Sequence, residues 1–262
     1  MNLHDHNLVI INSSGGKDSE VAGWEISQMA EAQGYPKSQI VVSHQDLGDA
    51  EWFGTKELVK KQADLFGFKT YYSQRRDHTG HEETFLEYVL RRGMWPSSAQ
   101  RWCTSDYKRG PGARIVTQLT KGMGDCSVLY VFGFRAEESP SRNKKEIFTL
   151  NKKLSTLTRT VHDYLPIHGL TTKEVWRIIK EHNLPYHFAY DLGMPRLSCV
   201  FCIFSPFDAL VIAGYHNREL LDRYIEVEDI IGHTFKNGFS LHEVRDAIIK
   251  GYMPKNVSNW IM

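Results

Sequence analysis

Leu8-Val9-Ile10-Ile11-Asn12-Ser13-Ser14-Gly15-Gly16-Lys17-Asp18-Ser19 is the stretch whose reading decides the fold of this chain. Its first four residues form a continuous apolar run, the mark of a strand buried on both faces. Ser13 to Asp18 make a glycine-bearing turn, and Glu20 to Ala32 has helical spacing. Strand, glycine turn and helix in that order aim unpaired backbone N–H groups from the positive end of a helix dipole at one place. An anion such as phosphate suits that place. Gly15 and Gly16 let the backbone approach closely, because neither carries a Cβ. Lys17 adds a point charge, and Ser14 and Ser19 add hydroxyl donors. A Walker A loop would need glycine where Ile11 stands and Ser or Thr where Asp18 stands. The dinucleotide fingerprint spaces its glycines differently.

Outward from this stretch, strand and helix patterns alternate. Ile40 to Ser43 reads as a second strand leading to Asp46, and Trp52 to Phe66 as a helix with a lysine face. Thr70 to Ser73, Ser127 to Gly133 and Val161 to Ile167 complete the strands. The order predicts an α/β fold: a doubly wound, mostly parallel five-stranded sheet with right-handed crossovers. Strand ends of such a sheet face the ligand crevice, which places Asp46 and Arg135 there. A guanidinium there can clamp phosphate with two N–H bonds; a surface ion pair with Glu137 or Glu138 is the plain alternative. Asp18 is placed to orient Mg²⁺ or to cap the helix.

Ser141 to Arg159 is basic and reads as a loop or hairpin able to neutralise DNA phosphates, or simply as a solvated loop. From Asn183 the character changes to an aromatic loop, a cysteine-bearing stretch and helices over Pro206–Tyr215, Arg218–Ile231 and Leu241–Lys250. The expected division is residues 1–182 as a nucleotide-binding α/β domain and 183–262 as a cysteine-containing loop with a helical C-terminal appendage.

Composition narrows the classes. Across 262 residues the net charge is +1, so no global field marks a nucleic-acid binder and any such site is a local patch. The opening MNLHDHNLV lacks the basic-then-apolar pattern of a signal peptide, and no apolar run reaches membrane-spanning length. With four cysteines, two of them in Cys199-Val200-Phe201-Cys202, the expectation is a reducing cytoplasm and a metal or redox role. Cys103, Cys199 and Cys202 suit an iron–sulfur cluster with one open or non-cysteine position, or zinc with a fourth ligand. A redox pair carrying persulfide sulfur and a set of buried small hydrophobes remain as alternatives. Cys126, ahead of the fourth strand, belongs at the opposite edge of the sheet.

Ser14 to Ser19 resembles the PP-loop, SGGxDS, of ATP pyrophosphatases, which split ATP between the α and β phosphates. Arg101-Trp102-Cys103-Thr104 with Lys108 and Pro111, Gly133-Phe134-Arg135 with Ser139, and the stretch LPIHGLTTKEVW ending at Trp176 extend the likeness. Together they are similar to the phosphoadenosine phosphosulfate reductase branch of that superfamily over roughly Leu8 to Ser205. Reductases of that branch use a cysteine near the C-terminus, whereas this chain ends GYMPKNVSNWIM. The expectation is therefore shared fold with different chemistry. The cysteine pattern resembles the DndC-like and SspD-like proteins of DNA phosphorothioation.

That resemblance implies ATP and Mg²⁺, an iron–sulfur cluster or zinc on Cys103, Cys199 and Cys202, DNA as substrate, a cysteine desulfurase and other phosphorothioation proteins as partners, and no membrane. It implies Lys17, Asp18 and Arg135 as catalytic residues. Ser13, Ser14, Gly15, Gly16, Lys17, Asp18, Ser19, Asp46, Gly133 and Arg135 are the implied nucleotide contacts. A phosphosulfate reductase, a nucleotide-binding subunit without turnover and a transfer-RNA thiolation enzyme are the competing readings.

Overall fold

The computed structural model describes residues 1–254 and 257, so the cysteine-free C-terminal stretch lies partly outside the described residues. In chain order the elements are β1 (Leu8–Ser13), α1 (Lys17–Gln33), β2 (Ile40–Gln45), α2 (Thr55–Phe66), β3 (Lys69–Ser73), α3 (Phe85–Arg92) and the single turn α4 (Trp102–Thr104). There follow α5 (Gly110–Thr120), β4 (Cys126–Phe132), the short α6 (Pro140–Asn143), β5 (Phe148–Leu150), β6 (Arg159–Tyr164) and α7 (Thr172–Glu181). The chain closes with α8 (Phe207–His216), α9 (Arg218–Ile231) and α10 (Leu241–Ile249). These divide into two compact units, each discontinuous in sequence.

One unit comprises Met1–Gln45, Gly54–Ser73 and Gly110–His187. Its sheet has the order β3-β2-β1-β4-β6-β5. Every neighbouring pair is parallel except β5 with β6. The sheet thus has six strands, not the expected five. The sixth is β5, formed where the basic segment turns back as an antiparallel hairpin with Thr149 opposite Asp163.

Both faces of β1 are used. Val9 and Ile11 join Val21, Ile26, Val59, Phe66 and Ile178 in a core that includes α1, α2 and α7. Leu8 and Ile10 pack on the other face with Val116 of α5. This double burial explains why β1 reads as an unbroken apolar run. Between β1 and β4 the strand order reverses, and a doubly wound sheet binds its ligands outside the strand C-termini at such a switch point.

Residues Asp46–Phe53, Gln74–Arg109 and Phe188–Met262 make up the helical unit, which thus draws in two stretches that precede residue 183. It is built on stacked aromatics. Trp95 lies nearly parallel to Tyr224 at 5.3 Å, and Phe85 stacks on Trp102 at 5.5 Å. Such ring pairs add roughly 1 kcal/mol each to the area they bury. Thr84 caps α3 through a reciprocal capping box with Glu87, and Ser240 with Glu243 does the same for α10. Among the described residues no helix is long and apolar enough to cross a membrane.

Candidate functional site

The glycine loop is built by its own backbone. Gly15 sits in the left-handed region at φ +72°, and a Cβ there would lie 3.1 Å from Thr55 Cγ2 and 3.3 Å from Val59 Cγ2. Glycine is needed at this position on both counts. Ser13 Oγ accepts the Gly15 N–H at 3.1 Å, and Ser19 Oγ donates to the Gly16 carbonyl at 2.8 Å. The two hydroxyls are 3.4 Å apart, so Ser13 and Ser19 shape the loop from inside, while Ser14 is exposed to solvent. The first bond of α1 runs from Glu20 N–H to the Gly16 carbonyl at 3.1 Å. Ahead of it lies the set of N–H groups that a helix start directs outward.

Asp18 is the hub of the charges. Its Oδ1 accepts from Arg135 Nε at 2.7 Å and its Oδ2 from Lys17 Nζ at 3.1 Å. Lys17 and Arg135 side chains are each only 3 % exposed, against 20 % for Asp18. Arg135 also donates to Glu137 Oε2 at 2.9 Å, Leu170 O at 3.3 Å and Thr172 Oγ1 at 3.1 Å. Four of its five N–H bonds are accounted for. The ion pair with Glu137, the plain alternative to a phosphate clamp, is present, made by a buried guanidinium. Arg135 is a brace between the end of β4, the first turn of α1 and the start of α7.

Gly133, implied as a nucleotide contact, also has a packing reason to lack a side chain. A Cβ there would meet Asp18 O at 2.6 Å and Ser19 N at 2.8 Å. The missing side chain lets the end of β4 lie against the backbone of the loop.

Asp46 belongs to the helical unit, where its Oδ1 accepts the Gly48 N–H at 2.8 Å and closes a turn. In that unit also stand Cys103 in α4 and Cys199 and Cys202 in the loop before α8. All three are half-buried free thiols. Burial pushes the Cys199 thiol up to about 11, with Lys108 opposing and Cys202 and Glu51 adding to the rise. Burial also raises Cys103 and Cys202, and each responds to Lys108. Conversely, Cys199 leads the influences that raise Lys108. Thiols held this high are poor nucleophiles on their own; a metal would deprotonate them outright.

Among the described residues no three histidine, cysteine or acidic side chains are arranged to hold a metal ion. The donor set, three thiols with a lysine in range of each, is nonetheless the chemistry a cluster or zinc takes. Sequence reasoning missed Lys236, whose ammonium donates to the Ser205 carbonyl beside Cys202. It also gave no role to Tyr224, whose buried hydroxyl has no partner. Both are brought in by α9 and the turn after it, far along the chain, and no local pattern signals them. Cys126 begins β4, away from the strand C-termini as expected.

A glycine loop and a braced carboxylate at the switch point of a doubly wound sheet define the class of α/β proteins that bind anionic, nucleotide-like ligands. Residues 9–204 match the family model for the phosphoadenosine phosphosulfate reductase domain, and the chain belongs to that family. An adenosine 5'-phosphosulfate reductase of Anoxybacillus flavithermus is 34% identical over 73 residues, 28% of this chain and 29% of that protein. The Bacillus mycoides protein of that name is 24% identical over 148 residues, 56% of each chain. The chain thus spans about half or less of the length of these curated relatives. Among solved structures, the U34-tRNA thiolase of Methanococcus maripaludis, which carries an iron–sulfur cluster, aligns over 95% of this chain and 74% of its own. Its TM-score is 0.49, with 13% identity.

Proposed function

We propose that the protein is a PP-loop ATP pyrophosphatase that adenylates a phosphate oxygen of DNA so that sulfur can replace it. The observation that carries this reading is the loop itself: Gly15 forced left-handed, Ser13 and Ser19 bonded inward, and Lys17 beside the braced Asp18. In the proposed reaction a non-bridging substrate oxygen attacks the α phosphorus and pyrophosphate leaves. A sulfur nucleophile then displaces AMP. The protein's part is positioning and charge stabilisation. Loop N–H groups and Lys17 hold the β and γ phosphates.

Both Asp18 oxygens already face cations, so Mg²⁺ fits as an ion carried by the nucleotide phosphates, not in a protein cage. Cys103, Cys199 and Cys202 would hold the iron–sulfur group, with Lys108 balancing its negative charge. When bound, that group supplies sulfur or electron handling. The exposed lysines of the hairpin, Lys144, Lys145, Lys152 and Lys153, are the proposed phosphate contacts for DNA, with a cysteine desulfurase as sulfur donor.

A second reading, turnover of an adenylyl phosphosulfate, is favoured by the names of the curated relatives. Product analysis of α-labelled ATP with Mg²⁺ separates the two. AMP and pyrophosphate, stimulated by DNA, are expected; stimulation by transfer RNA instead would reassign the substrate. ADP and phosphate would overturn the pyrophosphatase reading. Thiol-dependent sulfite release from adenosine 5'-phosphosulfate, with ATP untouched, would establish the second.

A further inference from the structure

Two buried side-chain oxygens behind the glycine loop have no hydrogen-bond donor: Glu20 Oε1 and Gln62 Oε1. Glu20 is 2 % exposed and Gln62 3 %. Leaving such an atom unsatisfied costs about 1–3 kcal/mol, so two together need a physical account.

They sit on two helices that pack together, α1 and α2. At one end of the contact Gly15 meets Thr55 and Val59; at the other Gly23 meets Phe66, 3.6 Å from an added Cβ. Glu20 lies three residues before Gly23 on the same side of α1, and Gln62 lies between Val59 and Phe66 on α2. Helical spacing between these two contacts puts Glu20 on the side of α1 turned toward the Gln62 row of α2. Gln62 Nε2 donates to Pro185 O at 3.0 Å and reaches Gly15 O at 3.4 Å. Two carbonyl acceptors pin the amide, so its oxygen cannot be exchanged for its nitrogen. The stretch from His182, its ring tilted against Trp24, to His187, 3.4 Å from Thr55 Oγ1, includes Pro185, whose carbonyl holds the Gln62 amide.

We propose that Glu20 is a neutral carboxylic acid whose O–H donates to Gln62 Oε1, and that the pair braces the Gly15 carbonyl and with it the curvature of the anion loop. One proton satisfies both oxygens. Burial alone raises the Glu20 carboxyl to about 8. Ionisable groups on the packed elements are Lys17, turned toward Asp18, and the imidazoles of His182 and His187; the facing row of α2 (Thr55, Val59, Gln62, Phe66) carries none.

The sign follows. Below the raised value the acid is neutral and the brace is made. As pH rises through it, a carboxylate faces an amide oxygen, the brace opens and the loop loosens. Glu20 is therefore a positioning residue, and its consequence for binding rests on the anion-loop reading above.

The test uses the whole chain with inorganic pyrophosphate as probe. The ¹³C carboxyl resonance of Glu20, assigned by its loss in Glu20→Gln, is expected to titrate near pH 8, and Gln62→Met to move that midpoint down. Pyrophosphate affinity of the wild type is expected to fall roughly fivefold or more between about pH 7 and pH 9. Glu20→Gln, which keeps a donor and cannot ionise, removes that slope. A Glu20 midpoint at the ordinary 4.5 would overturn the proposal. So would an unchanged slope in Glu20→Gln. Titration near pH 8 with no pyrophosphate binding at any pH would uphold the brace and remove the anion-loop reading instead.

Discussion

The glycine loop and the cysteine region solve opposite problems. In the loop the side chains of Ser13, Ser19, Lys17 and Asp18 have partners within a few residues or through Arg135, and the charges of Lys17 and Asp18 are held by side chains of low exposure. In the cysteine region Tyr224 OH, Ser205 Oγ and Trp102 Nε1 are buried without partners, and three thiols are pushed up by burial. A preorganised anion site needs its donors fixed before the ligand arrives. A thiol site can be ordered by what it binds. The contrast teaches that the two regions respond differently to the same kind of mutation.

The largest difference is expected at Lys17. Lys17→Ala should cut pyrophosphate release by about 10²–10³-fold, the usual cost of losing one charge-stabilising group, while circular dichroism and the thermal midpoint stay near wild type. Normal turnover in that variant would remove the loop from catalysis. Gly133→Ala comes next. Its Cβ must displace the backbone of Asp18 and Ser19, so a loss of about 3 kcal/mol is expected in urea unfolding; an unchanged midpoint would show that the strand end is not tied to the loop. Arg135→Lys keeps the charge but loses the planar fork shared by Asp18, Glu137 and Thr172, for about 1–3 kcal/mol. The smallest effect sharpens the contrast: Tyr224→Phe removes a hydroxyl with no partner and should leave stability unchanged or raise it by up to about 1 kcal/mol. A clear loss there would mean that the hydroxyl is used.

Sequence reading reached the architecture because its signals are local. The apolar run of β1 and the glycine turn each declare themselves within a few residues. The three C-terminal helices fall within a residue or two of their expected bounds. β5 escaped because a three-residue edge strand with exposed side chains has no burial pattern to read. The strand end before Arg135 is legible, but its bonds to Leu170 and Thr172 come from residues about 35 positions away. Glu20 and Gln62 were invisible, since a polar residue inside a helical pattern reads as solvated until the neighbouring helix is placed.

The helical unit has a consequence for how the chain is made. Residues 74–109 leave the ribosome well before Tyr224, on which Phe85 and Trp95 stack, and Phe235, which meets the Trp95 ring edge-on. At about 5–20 residues per second the sheet unit can close after His187, while these aromatics wait several seconds more for the stretch from Phe188 onward. During that interval the nascent chain displays a tryptophan-bearing apolar segment without its partner rings. Apolar surface exposed in this way during synthesis is where a chain is prone to aggregate.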